Sequence, residues 1–319
     1  MIRTNQLGKT DLKISVLGLG TVALGMAYGI TPQAGQAQNS SDGMNPPTLS
    51  EATQLIHKAI DGGITFIDTA RGYGRSEEVL GHALQGYRDK VVLASKMGIH
   101  DGDGNELKGA VLRQHMQTSL EASLRLLHTD HIDLMMLHST PDDYSEAVGI
   151  LKEFRQQGHI RAIGASTYGT EDPVRAIESG IDALQIAYNV LDQRLADVVF
   201  PLAAEKGVGI VVRSVFLKGA LTPRSADLPP HLAELKAQAD AVKQFGKSLT
   251  PSLNQIETAL RFVLSNPLVT TTLVGVRTED ELETSLGIAE KEPFPAELIR
   301  QFDRLRWDHA KLLNPGNWG

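Results

Sequence analysis

Four side chains in this sequence are of types that together could move a proton: Asp68, Tyr73, Lys96 and His138. Asp68 closes an apolar, β-branched run over residues 64–67 that follows Gly62-Gly63 and reads as a short buried strand. Tyr73 stands in the glycine-flanked loop after it, ahead of a helix expected to open at Ser76-Glu77-Glu78 with Ser76 as its N-cap. Lys96 closes a second apolar run, residues 91–95, and His138 a third, residues 132–137. A lysine held near a phenol favours the phenolate and lowers the tyrosine pKa from its reference of roughly 10. The carboxylate keeps that lysine charged, and a histidine beside them can donate a hydrogen bond to a substrate oxygen. Such a set is a proton donor poised beside an electrophilic carbonyl. Taken singly, each residue has a plainer role as a strand end, a loop anchor or a core histidine. Their joint recurrence at strand ends points to chemistry.

The elements that must position them follow a regular beat. A hairpin is expected over residues 3–15, and a first strand over 16–21. Residues 28–47 are rich in Gly, Gln, Asn, Ser and Pro without periodicity and read as a long loop. A helix then opens at Thr48 with Glu51 completing a capping box. Further strands are expected at 66–68, 91–96, 132–138, 160–166, 183–187, 209–213 and 270–274, each followed by helical periodicity. Among the expected helices are residues 194–206 and a last one from 296 to about 312. Eight short apolar strands alternating with amphipathic helices give a (β/α)8 TIM barrel in the α/β class. It forms a single domain over residues 1–319, with an N-terminal hairpin and a C-terminal helix and tail. An open, doubly wound sheet is disfavoured because Gly18-Leu19-Gly20 does not continue to a third glycine at the required spacing. In a barrel, Asp68, Lys96 and His138 sit at the carboxyl ends of neighbouring strands about 5 Å apart, where barrels carry their sites.

Composition narrows the function further. The net charge of −7, without a basic block, argues against a nucleic-acid partner. The absence of cysteine excludes disulfides, thiolate metal sites and thiol catalysis. No apolar run suffices for a membrane span or a secretory leader, so a cytoplasmic protein is expected. His128-Thr129-Asp130-His131 is set aside as a metal site because it lies at a helix-to-strand turn without a third ligand.

The stretch Gly62-Gly63-Ile64-Thr65-Phe66-Ile67-Asp68-Thr69-Ala70 resembles the aldo-keto reductases. So do Tyr73-Gly74, Ser76-Glu77, Leu80-Gly81, Lys96, Asp133-Leu134 with His138, Ile163-Gly164-Ala165-Ser166 and Gln185, and the likeness runs along nearly the whole chain. The resemblance implies that Tyr73 is the general acid in carbonyl reduction and the general base in alcohol oxidation. It implies that Lys96 and Asp68 tune Tyr73, that His138 orients the carbonyl, and that hydride comes from a nicotinamide cofactor. By the same matching, Ser166, Thr167 and Gln185 meet the carboxamide, Thr167 standing where the family commonly has Asn. Arg213 stands where an aromatic often stacks on the nicotinamide, and its planar guanidinium can stack similarly. Ser214, Leu217 and Gly219, with backbone from Gly20 and Thr21, line the pyrophosphate path. Gly275, Arg277 and Thr278 match the stretch that holds an adenosine 2′-phosphate, with Glu281 and Ser285 on the following helix. Arg277 and Thr278 point to NADP(H), while Glu281, a carboxylate near a phosphate, leaves NAD(H) as the alternative. The expected partner is a small carbonyl or alcohol substrate. An NAD-dependent sugar dehydrogenase and a cofactor-binding regulatory subunit of the same fold are the other readings. Specificity is expected in the loops over 28–47, 97–108 and 214–230 and in the tail.

Overall fold

The structure, a computed structural model, describes residues 2–30 and 45–318. Residues 31–44, most of the expected first long loop, lie outside the described residues. An antiparallel hairpin, β1 (Thr4–Gln6) and β2 (Lys13–Ser15), precedes the barrel. Its parallel strands are β3 (Leu17–Gly20), β4 (Phe66–Asp68), β5 (Val92–Met97), β6 (Ile132–Leu137), β7 (Ile160–Ser166), β8 (Ala183–Ala187), β9 (Gly209–Arg213) and β10 (Thr271–Gly275). They pair in chain order, and β10 bonds to both β9 and β3, which closes the ring. The expected (β/α)8 barrel is the fold.

Side-chain alternation along these strands explains both the core and the site. Phe66, Ala94, Leu134, Met136, Ala162, Ala183, Val211 and Leu273 fill the barrel interior, while their neighbours Ile67, Leu93, Met135 and Ile163 pack outward against helices. Two residues further along, the inward rows end in polar groups. Asp68 follows Phe66, Lys96 follows Ala94, His138 follows Met136, Gln185 follows Ala183 and Arg213 follows Val211. The same periodicity that builds the apolar plug therefore delivers the site residues to one mouth. At the other end the hairpin contributes Leu7, Leu12 and Ile14 to the interior cluster. Gly8, at φ 56°, permits this closure, because a Cβ there would lie 2.5 Å from the Gly207 carbonyl oxygen.

The helices that matter for the mouth are α1 (Val22–Gly25), α2 (Leu49–Asp61), α3 (Ser76–Ala83), α4 (Gly109–Leu126), α5 (Tyr144–Gln156), α6 (Asp172–Glu178) and α7 (Val199–Lys206). After them come α8 (Ala233–Ser248), α9 (Gln255–Leu264), α10 (Glu279–Ala289) and α11 (Ala296–Gln301). The Thr48–Glu51 capping box is present at the start of α2.

Three local expectations are corrected. Ser76 is not an N-cap; it is the first residue of α3, and its hydroxyl turns inward to Thr21 Oγ1 at 2.6 Å and Thr69 Oγ1 at 2.8 Å. The helix expected from residue 194 begins at Val199, because Asn189 Oδ1 accepts the Leu191 and Asp192 amides and Asp192 clasps Arg194, holding a turn there. The last helix stops at Gln301 and passes through a 3-10 turn, Phe302–Leu305. There the chain leaves the helical path, and the Trp307 amide bonds to the Leu191 carbonyl at 2.9 Å. The loop over 214–230 is folded into successive 3-10 turns, Leu217–Gly219 and Pro223–Asp227 among them.

Candidate active site

Asp68, Tyr73, Lys96 and His138 converge at the carboxyl end of the barrel. Lys96, fully buried at the end of the inward row of β5, donates to both oxygens of Asp68 at 2.7 and 2.6 Å. Its third and fourth contacts are the Thr69 carbonyl at 3.0 Å and the Tyr73 hydroxyl at 3.2 Å. The His138 ring meets the Tyr73 ring edge-on, with centroids 5.6 Å apart. A phenol, an ammonium, a carboxylate and an imidazole thus line one pocket, with the phenol between the ammonium and the imidazole.

Local packing fixes the tyrosine loop. Thr21 donates its amide and its hydroxyl to the Asp68 carbonyl at 3.0 and 2.8 Å. Behind the loop, two glycines let backbone meet backbone. A Cβ on Gly25 would fall 2.1 Å from the Tyr73 carbonyl oxygen, and one on Gly74, at φ 57°, would fall 2.5 Å from the Gly25 carbonyl oxygen. Helix α1 is therefore a backstop for Tyr73. The loop is also tied by Arg71, which donates to buried Glu77 at 3.1 Å, and Glu77 in turn accepts from Ser95 at 2.7 Å.

Electrostatics at the site depart in part from the sequence expectation. Lys96 does lower the Tyr73 pKa, but burial of the phenol outweighs it and the net shift is upward. For Lys96, burial pulls downward, and the charges and hydrogen bonds of Asp68 and Tyr73 more than offset it, leaving the ammonium raised. His138 is pushed down to about 3 by burial, with Lys96 and Arg213 adding to the effect, so its imidazole is neutral at physiological pH.

The residues matched to a cofactor fall along one side of the same mouth. Gln185 donates to Asp68 Oδ1 at 2.8 Å and accepts from the Ser166 hydroxyl at 3.2 Å, which links the expected carboxamide ligands to the Asp68 carboxylate. Thr167 is buried and its hydroxyl has no partner. Arg213 donates to the Thr167 carbonyl at 2.8 Å and to Ser214 Oγ at 3.4 Å. Ser214, Leu217 and Lys218 all take left-handed backbone at φ 61°, 45° and 56°, and Gly219 follows at φ 106°. Three non-glycine residues in that region make a strained loop, the kind of strain that collects at ligand sites. Leu217 itself is fully buried, and its amide is used by the Ser214 carbonyl. Gly20 and Gly275 pair across β3 and β10 and bring bare backbone to the rim.

At the outer end of this strip Arg277 keeps a buried Nε–H without a partner. Burial lowers its pKa, and the charge of the neighbouring Arg224 adds to the effect. Thr278 caps α10 by accepting the Glu281 amide at 3.2 Å. The Glu281 carboxylate accepts the Arg277 amide at 2.8 Å and lies 3.8 Å from Arg224. Ser285 is buried and donates back to the Glu281 carbonyl at 2.8 Å.

Tyr28, Tyr168 and Lys218 also stand at the mouth; the sequence did not single them out, although Tyr28 and Lys218 fall in two of the loops expected to set specificity. Tyr28 lies within charge range of Tyr73, Arg213 and Arg277, and desolvation raises its phenol even though a third of its surface is open. Tyr168 stacks on the Arg213 guanidinium at 4.2 Å. Lys218 sits 5.8 Å from the rings of both Tyr28 and Trp318, so the tail reaches the rim. Tyr168 could have been found as the aromatic next to Ser166-Thr167; Tyr28 stands in a segment without periodicity and gave no such signal.

Known proteins bear on the geometry directly. The model of the aldo/keto reductase family matches residues 17–306. An aldo-keto reductase of Bacillus subtilis (strain 168), YhdN, is 31% identical over 301 residues, covering 87% of this chain and 86% of that protein. The NADH-specific methylglyoxal reductase of Escherichia coli (strain K12) is 32% identical over 235 residues, 68% of each chain. Among solved structures, the holo form of aldo-keto reductase AKR11C1 from Bacillus halodurans superposes with a TM-score of 0.77 at 26% identity, covering all of both chains.

Proposed function

The chain belongs to the aldo-keto reductase family and is an NAD(P)(H)-dependent oxidoreductase acting on carbonyls, and we propose that it uses NADP(H) to reduce aldehydes, ketones or sugar-type carbonyls, with Tyr73 as the proton donor. The observation that carries the assignment of Tyr73 is its hydroxyl, 3.2 Å from a fully buried ammonium that is itself clasped by Asp68. When bound, the nicotinamide supplies the hydride. The Tyr73 O–H gives its proton to the carbonyl oxygen as negative charge develops there. Lys96 stabilises the phenolate that remains, and Asp68 keeps Lys96 charged and aimed. Neutral His138 donates a hydrogen bond to the carbonyl oxygen and so fixes its approach. In the reverse direction the Tyr73 phenolate takes the alcohol proton.

The residues present fit the cofactor. The unpartnered Thr167 hydroxyl, with Ser166 and Gln185 beside it, offers neutral hydrogen-bonding groups where a carboxamide would be held. Arg277, with a free buried Nε–H, and Arg224 offer two cations to a phosphate. Glu281, which would repel that phosphate, is already turned to the Arg277 amide and to Arg224. This favours NADP(H). A relative that is NADH-specific by name keeps NAD(H) in view, and Glu281 is the residue that would then decide.

Steady-state turnover of an activated aldehyde with NADPH and NADH in parallel, for the wild type and Tyr73→Phe, tests the proposal. We expect at least a tenfold preference for NADPH, and a loss in Tyr73→Phe of about a hundredfold or more, the scale of general acid catalysis, with NADPH binding retained. Undiminished turnover in Tyr73→Phe would sink the assigned role, and a preference for NADH would transfer cofactor choice to Glu281.

A further inference from the structure

Arg213 stands out from the other site groups because its charge has no counterpart. Asp68 and Lys96 cancel each other, and the shifts at His138 and Tyr73 leave both neutral at physiological pH. A guanidinium carries its charge throughout the working pH range, and the contacts of Arg213 are neutral: the Thr167 carbonyl, the Ser214 hydroxyl and the Tyr168 ring. No carboxylate pairs with it among the described residues, and its Nε–H is buried without a partner. The pocket thus carries one uncompensated positive charge, held in place by two hydrogen bonds and a stacked ring. That charge reaches the reacting groups, since it acts on both Tyr73 and His138.

We infer that Arg213 makes the pocket hold the reduced cofactor, whose nicotinamide ring is neutral, more tightly than the oxidised one, whose ring is cationic. The inference rests on the proposed seating of the nicotinamide beside Ser166, Gln185 and Arg213. Carbonyl reduction takes a hydride from the dihydronicotinamide to the carbonyl carbon and a proton from Tyr73 to the oxygen, so the ring left behind has gained one positive charge. A fixed guanidinium repels that ring and not its neutral precursor. An aromatic side chain at the same position would instead attract the cationic ring through its π-face. The phosphates are identical in the two cofactor forms, so their interactions with Arg224, Arg277 and Lys218 cancel in the comparison. What remains is the charge of the ring. At contact distance a unit charge pair is worth at least about fivefold in an equilibrium constant even at the dielectric of water, and far more in a partly buried site.

The experiment is equilibrium binding by calorimetry of NADPH and NADP+ to the wild type, Arg213→Lys and Arg213→Phe. We expect the wild type to favour NADPH over NADP+ by roughly tenfold or more. Arg213→Lys should keep most of that ratio because it keeps the charge, and Arg213→Phe should abolish or reverse it. A ratio that stays the same in Arg213→Phe, with both forms still bound, would overturn the inference alone. So would a lysine variant that behaves like the phenylalanine one, because the effect would then follow shape and not charge. Failure of the wild type to bind either form would overturn it together with the proposed function.

Discussion

At Tyr73 burial and charge act against each other, whereas at His138 they act together. The phenol is raised because desolvation exceeds what Lys96 gives back. It therefore stays protonated through neutral and mildly alkaline pH, which is the form that its proposed role as proton donor needs. For His138, burial, Lys96 and Arg213 all disfavour the imidazolium, and the pKa falls to about 3 from 6.5. The linkage sign follows from these two values. Between about pH 6.5 and 3 the unfolded chain binds a proton at this histidine that the folded chain does not, so stability is lost as pH falls through that window. Replacing the group removes the effect. We expect His138→Gln to reduce the number of protons taken up on unfolding between pH 6 and 4 by about one, read from urea midpoints across that range. The same variant should lower kcat, while the wild-type rate shows no inflection near pH 6.5. Such an inflection, if found and lost in His138→Gln, would mean that the imidazole titrates in the free enzyme.

The elements divide the work between strands, which aim the site residues, and short connections, which hold them against recoil. Helix α1 is four residues long and presses Gly25 against the Tyr73 loop. Gly25 has ordinary backbone angles, so alanine there costs space and not conformation. We expect Gly25→Ala to destabilise the fold by about 1–3 kcal/mol, as overpacking does, and to lower kcat at least tenfold by shifting Tyr73 relative to Lys96. Circular dichroism and the NADPH affinity should stay near wild type; a kcat that follows stability alone would remove α1 from the site. The strand ends were legible in the sequence because alternation and burial are local properties: Asp68, Lys96, Gln185 and Arg213 each stand two residues beyond an apolar inward residue. The role of Gly25 was not legible, because it depends on a contact with Gly74 across a loop. Ser76 misled for a similar reason. Its type suits an N-cap, but buried hydroxyls on Thr21 and Thr69 offered its side chain better partners. Tyr28 and Lys218 reach the mouth through loop geometry that no periodicity announces.

Across the whole molecule the two ends of the barrel carry different burdens. The carboxyl end holds strained backbone, orphaned polar hydrogens and an uncompensated charge at Ser214, Thr167 and Arg213. The amino end is plugged by apolar side chains. There the hairpin inserts Leu7, Leu12 and Ile14 beneath Phe66 and Leu134, and Asp133 takes hydrogen bonds from Arg88, Arg161 and the Leu93 amide at 2.8, 2.8 and 2.9 Å. In a chain of net charge −7 the cations Arg213, Lys218, Arg224 and Arg277 gather at one rim, which suits the proposed seat of an anionic cofactor. If stability and chemistry are separated in this way, a cavity cut into the hairpin plug should weaken the fold and leave the reaction alone. Leu12 is 2% exposed, and Leu12→Ala should cost about 2–5 kcal/mol, the range for a large-to-small change in a packed core. Its urea midpoint should drop accordingly. At a temperature where the variant is fully folded, kcat/KM with NADPH should lie within about twofold of wild type, since the structure around a large-to-small cavity relaxes only partially and Leu12 sits at the end of the barrel away from Lys96. A variant that loses turnover in proportion to stability would mean that the plug and the mouth move as one body, and that the barrel transmits strain along its axis.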